Sequence, residues 1–272
     1  MLQNSISPTQ INIMANDSVE HIEGQTDGGL LIICDHATNR IPEQYRDLDI
    51  EPAILNSHVG YDIGVRRVTQ ELSKMTQAPA LLSRFSRLLI DPNRGIDDPT
   101  LIMKIADGSV VSGNVAVDKD EIAKRIAAYY DPYHAAIRCS LDAAIETGVP
   151  PAILSVHSFT PTFKNQIRPW HAAILWDADP RLPHAILHAL QQEPALIIGE
   201  NVPYTGRLHG DTLYRHGTTN GLAHALIEIR QDLISDEDGQ LAWARRLHKV
   251  LTSTMRNPEM NRISYHLSSV DT

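Results

Sequence analysis

The chain has 272 residues, 42% of them hydrophobic and 21% charged, the proportions of an ordinary globular protein. Its formal net charge of −9 excludes the broadly basic surface of a general nucleic-acid binder, while leaving room for a local basic pocket. Two cysteines, Cys34 and Cys139, are too few for a disulfide framework and point to a reducing compartment. Residues 1–24 lack a basic start followed by an apolar run, so no export signal is read there. No stretch stays apolar for the roughly 18 residues a membrane-spanning helix needs. The expected location is the cytoplasm, with neither membrane nor nucleic acid as a partner.

In chain order, residues 1–25 are polar and aperiodic and read as a loose leader. Residues 26–262 read as a single domain, and 263–272 as a C-terminal tail. Leu30–Cys34 is a short, wholly apolar run, the pattern of a strand buried on both faces of a parallel sheet. Residues 57–75 show a helical stripe through Ile63, Val68, Leu72 and Met75. Residues 80–90 hold strand material that stops at Pro92. Residues 96–117 read as a long loop. Asp118 and Glu121 have the spacing of a capping box, and the helix they open is expected to kink near Pro132 before resuming to Glu146.

Further strands are expected over 152–156, 172–176, 196–198 and 223–230, with helices over 183–192 and 241–255. The alternation of strands and helices predicts an α/β fold with a mixed or mostly parallel sheet.

The chemistry-bearing residues sit where these strands end. Open α/β sheets build their sites at the carboxyl ends of strands. His36 follows 30–34 and His157 follows 152–156. Alone, each fits a hydrogen-bonded turn histidine well. Together, in matching settings, they predict a metal centre, because neutral imidazole is a good zinc ligand and catalytic zinc takes three protein ligands. For the third ligand Asp62 is the first choice, His58 an alternative, and Asn39 a poor one because zinc favours Cys, His, Asp and Glu. Asp35 could orient an imidazole from behind.

Glu228 lies in the apolar run Leu226-Ile227-Glu228-Ile229, where an unpaired carboxylate is costly. It fits either a partner in an ion pair or a general base whose pKa burial has raised. Asn93 and Arg94 follow the run 88–91, and an arginine can grip a carboxylate with two parallel hydrogen bonds. Arg87 and Arg230 are further sources of positive charge. Cys34 sits inside an apolar strand and reads as packing rather than as a nucleophile. No phosphate loop, dinucleotide fingerprint or serine-hydrolase elbow is present.

Five motifs in order resemble the N-formylglutamate amidohydrolase family. They are Asp35-His36-Ala37-Thr38-Asn39-Arg40-Ile41-Pro42, Ser86-Arg87-Leu88-Leu89-Ile90-Asp91-Pro92-Asn93-Arg94, Val156-His157-Ser158-Phe159-Thr160-Pro161, Asn201-Val202-Pro203-Tyr204 and Glu228-Ile229-Arg230-Gln231-Asp232-Leu233. The resemblance spans about residues 28 to 235 and extends in fold to the zinc carboxypeptidases and aspartoacylases. It implies a three-layer α/β/α domain with a mixed, mostly parallel sheet. It implies one zinc ion on His36, His157 and a third ligand, with other divalent ions as alternatives. It further implies Asn93-Arg94 as the substrate-carboxylate pair and Glu228 as general base and then acid. Ser158 and Tyr204, within the matching motifs, are expected to contact substrate beside Arg87 and Arg230. Asn39 stands where the relatives carry a ligand glutamate.

The function expected from this resemblance is metal-dependent hydrolysis of an N-acyl amino acid, with N-formyl-L-glutamate the first candidate. Formate and L-glutamate would be its products, as in histidine degradation. The partner is then a small acidic N-acyl amino acid. The alternatives are another N-acyl or peptidoglycan-type amidase, or a catalytically silent carboxylate-binding protein on the same fold.

Overall fold

A computed structural model describes residues 17–271. Residues 1–16 of the loose leader expected over 1–25 lie outside the described residues. Later in that expected leader, Val19–Ile22 (β1) forms an edge strand antiparallel to Ala80–Ser83 (β3). The remaining strands of the main sheet are Leu30–Cys34 (β2), Ala152–Phe159 (β4), Ala172–Leu175 (β5), Ile198–Glu200 (β6) and His224–Arg230 (β7).

The spatial order of this seven-stranded sheet is β1-β3-β2-β4-β7-β5-β6. The four central strands β3, β2, β4 and β7 run parallel, and β5 turns antiparallel against β7. The sheet is therefore mixed and mostly parallel, in an α/β fold, as the resemblance implied.

Helices cover both faces. Val65–Thr76 (α1), Arg181–Gln191 (α4) and Glu237–Thr254 (α5) lie on one side. There Val68, Leu72, Trp243 and Leu247 pack on Ile32, Leu154 and Val156. Lys119–Arg125 (α2) and Asp131–Glu146 (α3) lie on the other. Tyr133, Ile137 and Leu141 of α3 pack there against Ile33, Leu81 and Ile153. Successive strand residues face opposite ways. With Leu154 and Val156 committed to the α1 side, Ser155 and His157 share the α3 face with Ile153.

Several element boundaries differ from the sequence expectation. The helix expected from residue 57 begins only at Val65, because Gly64 adopts φ 85°, and a Cβ there would come within 2.2 Å of the Ile234 carbonyl. Asp62 thus sits in the turn before α1. Only Ala80–Ser83 of residues 80–90 is strand. The apolar Phe85, Leu88, Leu89 and Ile90 instead pack in turns as part of the α3-side core. The 96–117 segment carries a small hairpin, Ile105–Ala106 with Ser109–Val110, and a short helix, Ser112–Val115. Pro132 does not break its helix. It follows a π-helical turn, Ile126–Tyr130, that joins α2 to α3 without interruption, and the wider turn accommodates a residue that cannot donate an N–H. Strand β4 runs on to Phe159, so His157 lies within the strand rather than past its end.

Behind the site loop, His134 of α3 and His216, at the end of the short helix Thr212–His216, form a buried pair. His134 Nε2–H donates to the Pro92 carbonyl at 3.0 Å, which leaves its Nδ1 to accept from His216 Nε2 at 2.9 Å. Both rings are therefore neutral. Burial holds His134 at about 3 and His216 well below the ordinary histidine value. An unfolded chain takes up these protons below 6.5, but the folded chain refuses His134's until about 3. The pair's own contribution to stability falls as pH drops through that window, by up to about 1.4 kcal/mol per pH unit for each imidazole. On lowering the pH from 7 to 5, the urea unfolding midpoint of His134→Gln should therefore gain on that of the unaltered protein. Equal slopes in the two proteins would contradict this role.

Candidate active site

Register alone sets the first contact of the site. Strand β7 pairs in parallel with β4 so that Glu228 lies directly beside His157. Both point to the α3 face, at the carboxyl ends of parallel strands. His36, two residues past β2, comes in next to them, its ring 4.9 Å from that of His157 and nearly perpendicular to it. Asp62 reaches the same point from the turn before α1. Its backbone N–H donates to the His36 carbonyl at 3.0 Å, and its Oδ2 accepts the Ser158 N–H at 3.2 Å.

The imidazoles are held from behind by carboxylates. His36 Nε2–H donates to Asp91 Oδ1 at 2.7 Å, and His157 Nε2–H lies 3.1 Å from Asp35 Oδ2. Asp91 is itself paired to Arg87 at 2.8 Å and accepts the Asn93 N–H at 2.9 Å. Asp35 accepts hydroxyls from Tyr133, Ser155 and Thr212. With both Nε2 atoms donating, both Nδ1 atoms are turned toward Asp62. They lie 2.9 Å (His157) and 3.5 Å (His36) from its Oδ2.

Charge balance shows what this cluster needs. Burial by itself would raise the aspartates. The imidazoles outweigh it, bringing Asp35 down to about 2 and Asp62 further below the usual range. Burial likewise opposes charge on His157, but the hydrogen bonds to Asp35 and Asp62 lift it to about 10. The cluster therefore demands positive charge between the two Nδ1 atoms. His36 Nδ1 is buried there without a hydrogen-bond partner. His36, Asp62 and His157 each offer one ligand atom, all within 4.8 Å of one another. This donor set fits a divalent metal held by two neutral imidazoles and a carboxylate, with the orienting carboxylates such ligands require.

Glu228 is buried beside this group, and its Oε2 has no hydrogen-bond partner among the described residues. Burial, and then the Asp62 charge, raise its carboxyl to about 7.

These residues line a cavity of about 230 Å³ together with Arg87, Asn93, Arg94, Ser158 and Tyr204. Arg94 donates to Thr100 and to the Asn93 carbonyl, and makes no ion pair with a carboxylate among the described residues. Asn93 Oδ1 accepts the Thr212 N–H at 3.1 Å. Tyr204 is held at its hydroxyl by Arg168, a buried guanidinium lying over the Phe159, Phe163 and Tyr204 rings. Arg230 is not in the lining; it grips Asp232 and the carbonyls of Arg168, Pro169 and Trp170. His58 lines the cavity but is outside the ligand group, with Nε2 3.4 Å from Asp107. Asn39 donates to Asn56 and is absent from both.

Sequence reasoning assigned no role to Asp91, which orients His36, or to Asp211. Asp211 is a buried carboxyl in the cavity wall, raised to about 7 by burial, that caps the short helix Thr212–His216. A buried acid ending an apolar run was the available signal for Asp91; Asp211, in a polar segment, offered none.

The family model for N-formylglutamate amidohydrolase matches residues 28–235. The chain belongs to the N-formylglutamate amidohydrolase family. A gene product of Agrobacterium tumefaciens of known structure is 31% identical, superposes with a TM-score of 0.84, and aligns over 89% of this chain and 96% of its own. An N-formylglutamate amidohydrolase from Ralstonia eutropha shares the fold at 21% identity and a TM-score of 0.67, over 90% of this chain and 98% of that one. A search of curated proteins finds no match. Membership in the family makes the chain an amidohydrolase. No helix among the described residues is long and apolar enough to cross a membrane.

If Asp62 is the third ligand, Asp62→Ala should lose zinc on dialysis against a weak chelator, as read by elemental analysis. Asp91→Asn should keep the ligands but weaken zinc by about 10- to 100-fold. Full retention by Asp62→Ala would move the ligand role to His58 or Asn39.

Proposed function

We propose that the protein hydrolyses the amide bond of an N-acyl amino acid, with N-formyl-L-glutamate the first candidate, and that it uses a zinc ion. The observation that supports this most is Glu228 Oε2, a buried and partnerless carboxylate oxygen beside a His–Asp–His cluster. A silent carboxylate-binding protein would have no use for it. Zinc held by His36, His157 and Asp62 would supply Lewis acidity toward the acyl carbonyl.

The chain's own residues do the rest. Glu228, with a carboxyl lifted to about 7, takes a proton from the attacking water as the water oxygen bonds to the carbonyl carbon. It returns that proton to the nitrogen as the C–N bond breaks, releasing the carboxylic acid and the free amine. Arg94, with unsaturated donor capacity at the cavity wall, holds the substrate carboxylate, and Asn93 braces the turn that carries it. Arg87 is already committed to Asp91 and sets the charge of the site rather than gripping substrate by itself. Ser158 fixes Asp62 through its backbone N–H, and Tyr204 forms part of the wall. Anchoring the carboxylate makes the approach of the acyl carbon to the catalytic group effectively intramolecular. The cytoplasmic location and a place in histidine degradation belong to this same proposal.

Formate release from N-formyl-L-glutamate, assayed before and after chelation, tests the reading. About one zinc per chain, with activity lost on chelation and restored by zinc, is the expected result. Glu228→Gln should lower kcat by at least about a hundredfold while zinc stays bound; full activity in that variant removes Glu228 from the mechanism. Arg94→Ala should raise KM for acidic substrates far more than it lowers kcat, and an unchanged KM would unseat Arg94.

A further inference from the structure

The cavity lining extends past the metal cluster, and the register of the sheet beneath it orders His157, Glu228, Leu226, Leu175 and His224. The first row is His157–Glu228–Ala173, and the second is Ser155–Leu226–Leu175. His224 follows, paired with Ile153. Two residues of strand span about 7 Å, which places Leu226 that far along β7 from Glu228. At this step the floor changes from ionisable to hydrocarbon. Leu213, Trp176 and Val270 are also in the lining, and Asp177, two residues past Leu175 on the antiparallel β5, carries the Ser268–Ser269 clasp next to Val270 at the His224 end.

The polar groups near that end are already engaged within the protein. His224 Nδ1 meets the Leu222 carbonyl at 2.7 Å and its Nε2 meets Thr218 Oγ1 at 3.2 Å. Asp177 accepts hydroxyls from Ser268 and Ser269 and the Ser269 N–H at 3.1 Å. The apolar lining residues of this region are Leu175, Trp176, Leu213, Leu226 and Val270.

Val270 belongs to the segment expected to be a tail, yet that segment is pinned on both sides of it. Ser268 and Ser269 clasp Asp177 before it, and Tyr214 OH donates to Asp271 at 2.7 Å after it. Asp177 and Tyr214 are themselves in the cavity lining, so the clasp fixes Val270 relative to the catalytic row.

We infer that this recess takes a hydrocarbon group of the N-acyl amino acid, and that Val270 is the residue that limits the length of that group. The inference rests on the proposed amide hydrolysis for the identity of the head group. It extends the substrate range beyond N-formyl-L-glutamate to N-acyl amino acids that carry more hydrocarbon. The hydrocarbon could enter from the acyl side or from the amino-acid side chain, and the two are separable with two ligand series.

Calorimetric titration of zinc-loaded Glu228→Gln protein with N-acyl-L-glutamates from formyl to hexanoyl tests the first. N-formyl amino acids from alanine to norleucine test the second. In one series affinity should rise about fourfold per methylene buried, then level off. Adding Val270→Trp should end the rise earlier, and Val270→Ala should extend it. Leu226→Phe, on the sheet floor, should also shorten it, which covers the case of a tail that swings aside. Affinity flat in both series, or a rise untouched by Val270→Trp and Leu226→Phe, overturns the inference. Turnover of the same ligands by the protein with Glu228 intact separates the two readings. Length-dependent affinity without any turnover would sink the amide hydrolysis and leave the recess standing; turnover with flat affinity would sink the recess alone.

Discussion

Carboxylates buried together around one pocket repel each other and forfeit hydration, a combination that proteins tolerate only where positive charge is supplied. Asp35, Asp62, Asp91 and Glu228 are all buried here. Three of them are answered by the imidazoles of His36 and His157 and by Arg87. The decisive feature is the direction of those contacts. Asp91 and Asp35 take the outer nitrogens of the two rings, so both inner nitrogens converge on Asp62. Without those two outer acceptors either ring could turn, and the converging donor set would be lost.

The fold enforces this geometry through the parity of its strands. Val156 and Ile227 face the α1 side, which commits His157 and Glu228 to the other. A one-residue slip of β7 against β4 would turn Glu228 into the apolar core under α4 and α5 and break the site outright. The three-layer packing thus fixes the register, and the register sets the distance between base and cluster. The histidine pair behind Pro92 extends the same logic to the loop that carries Asp91, Asn93 and Arg94.

Much of this was readable because strand ends and buried charges are local signals. His36 and His157 stood out as histidines after apolar runs, and Glu228 as an acid inside one. The α/β alternation announced the layers. What could not be read depended on contacts far along the chain. Gly64 stops the helical pattern because Ile234 approaches it, and only that delay leaves Asp62 free in a turn. The apolar 85–90 stretch resembles a strand in composition, yet its side chains fill the core under α3 from turns. Asp91 and His36 are separated by 55 residues, and nothing in either local sequence names the other as partner. The 263–271 segment resembles a tail in sequence because its anchors, Asp177 after β5 and Tyr214 in the short helix Thr212–His216, lie far away along the chain.

The central claim is that the inward nitrogens and Asp62 form a metal centre. A crystal grown with zinc, with anomalous diffraction collected on either side of the zinc absorption edge, addresses it directly. The account predicts one strong anomalous peak within bonding distance of His36 Nδ1, His157 Nδ1 and an Asp62 oxygen, with Asp35 and Asp91 still on the Nε2 atoms. No peak at that point, or a peak on the Nε2 side of either ring, would contradict it.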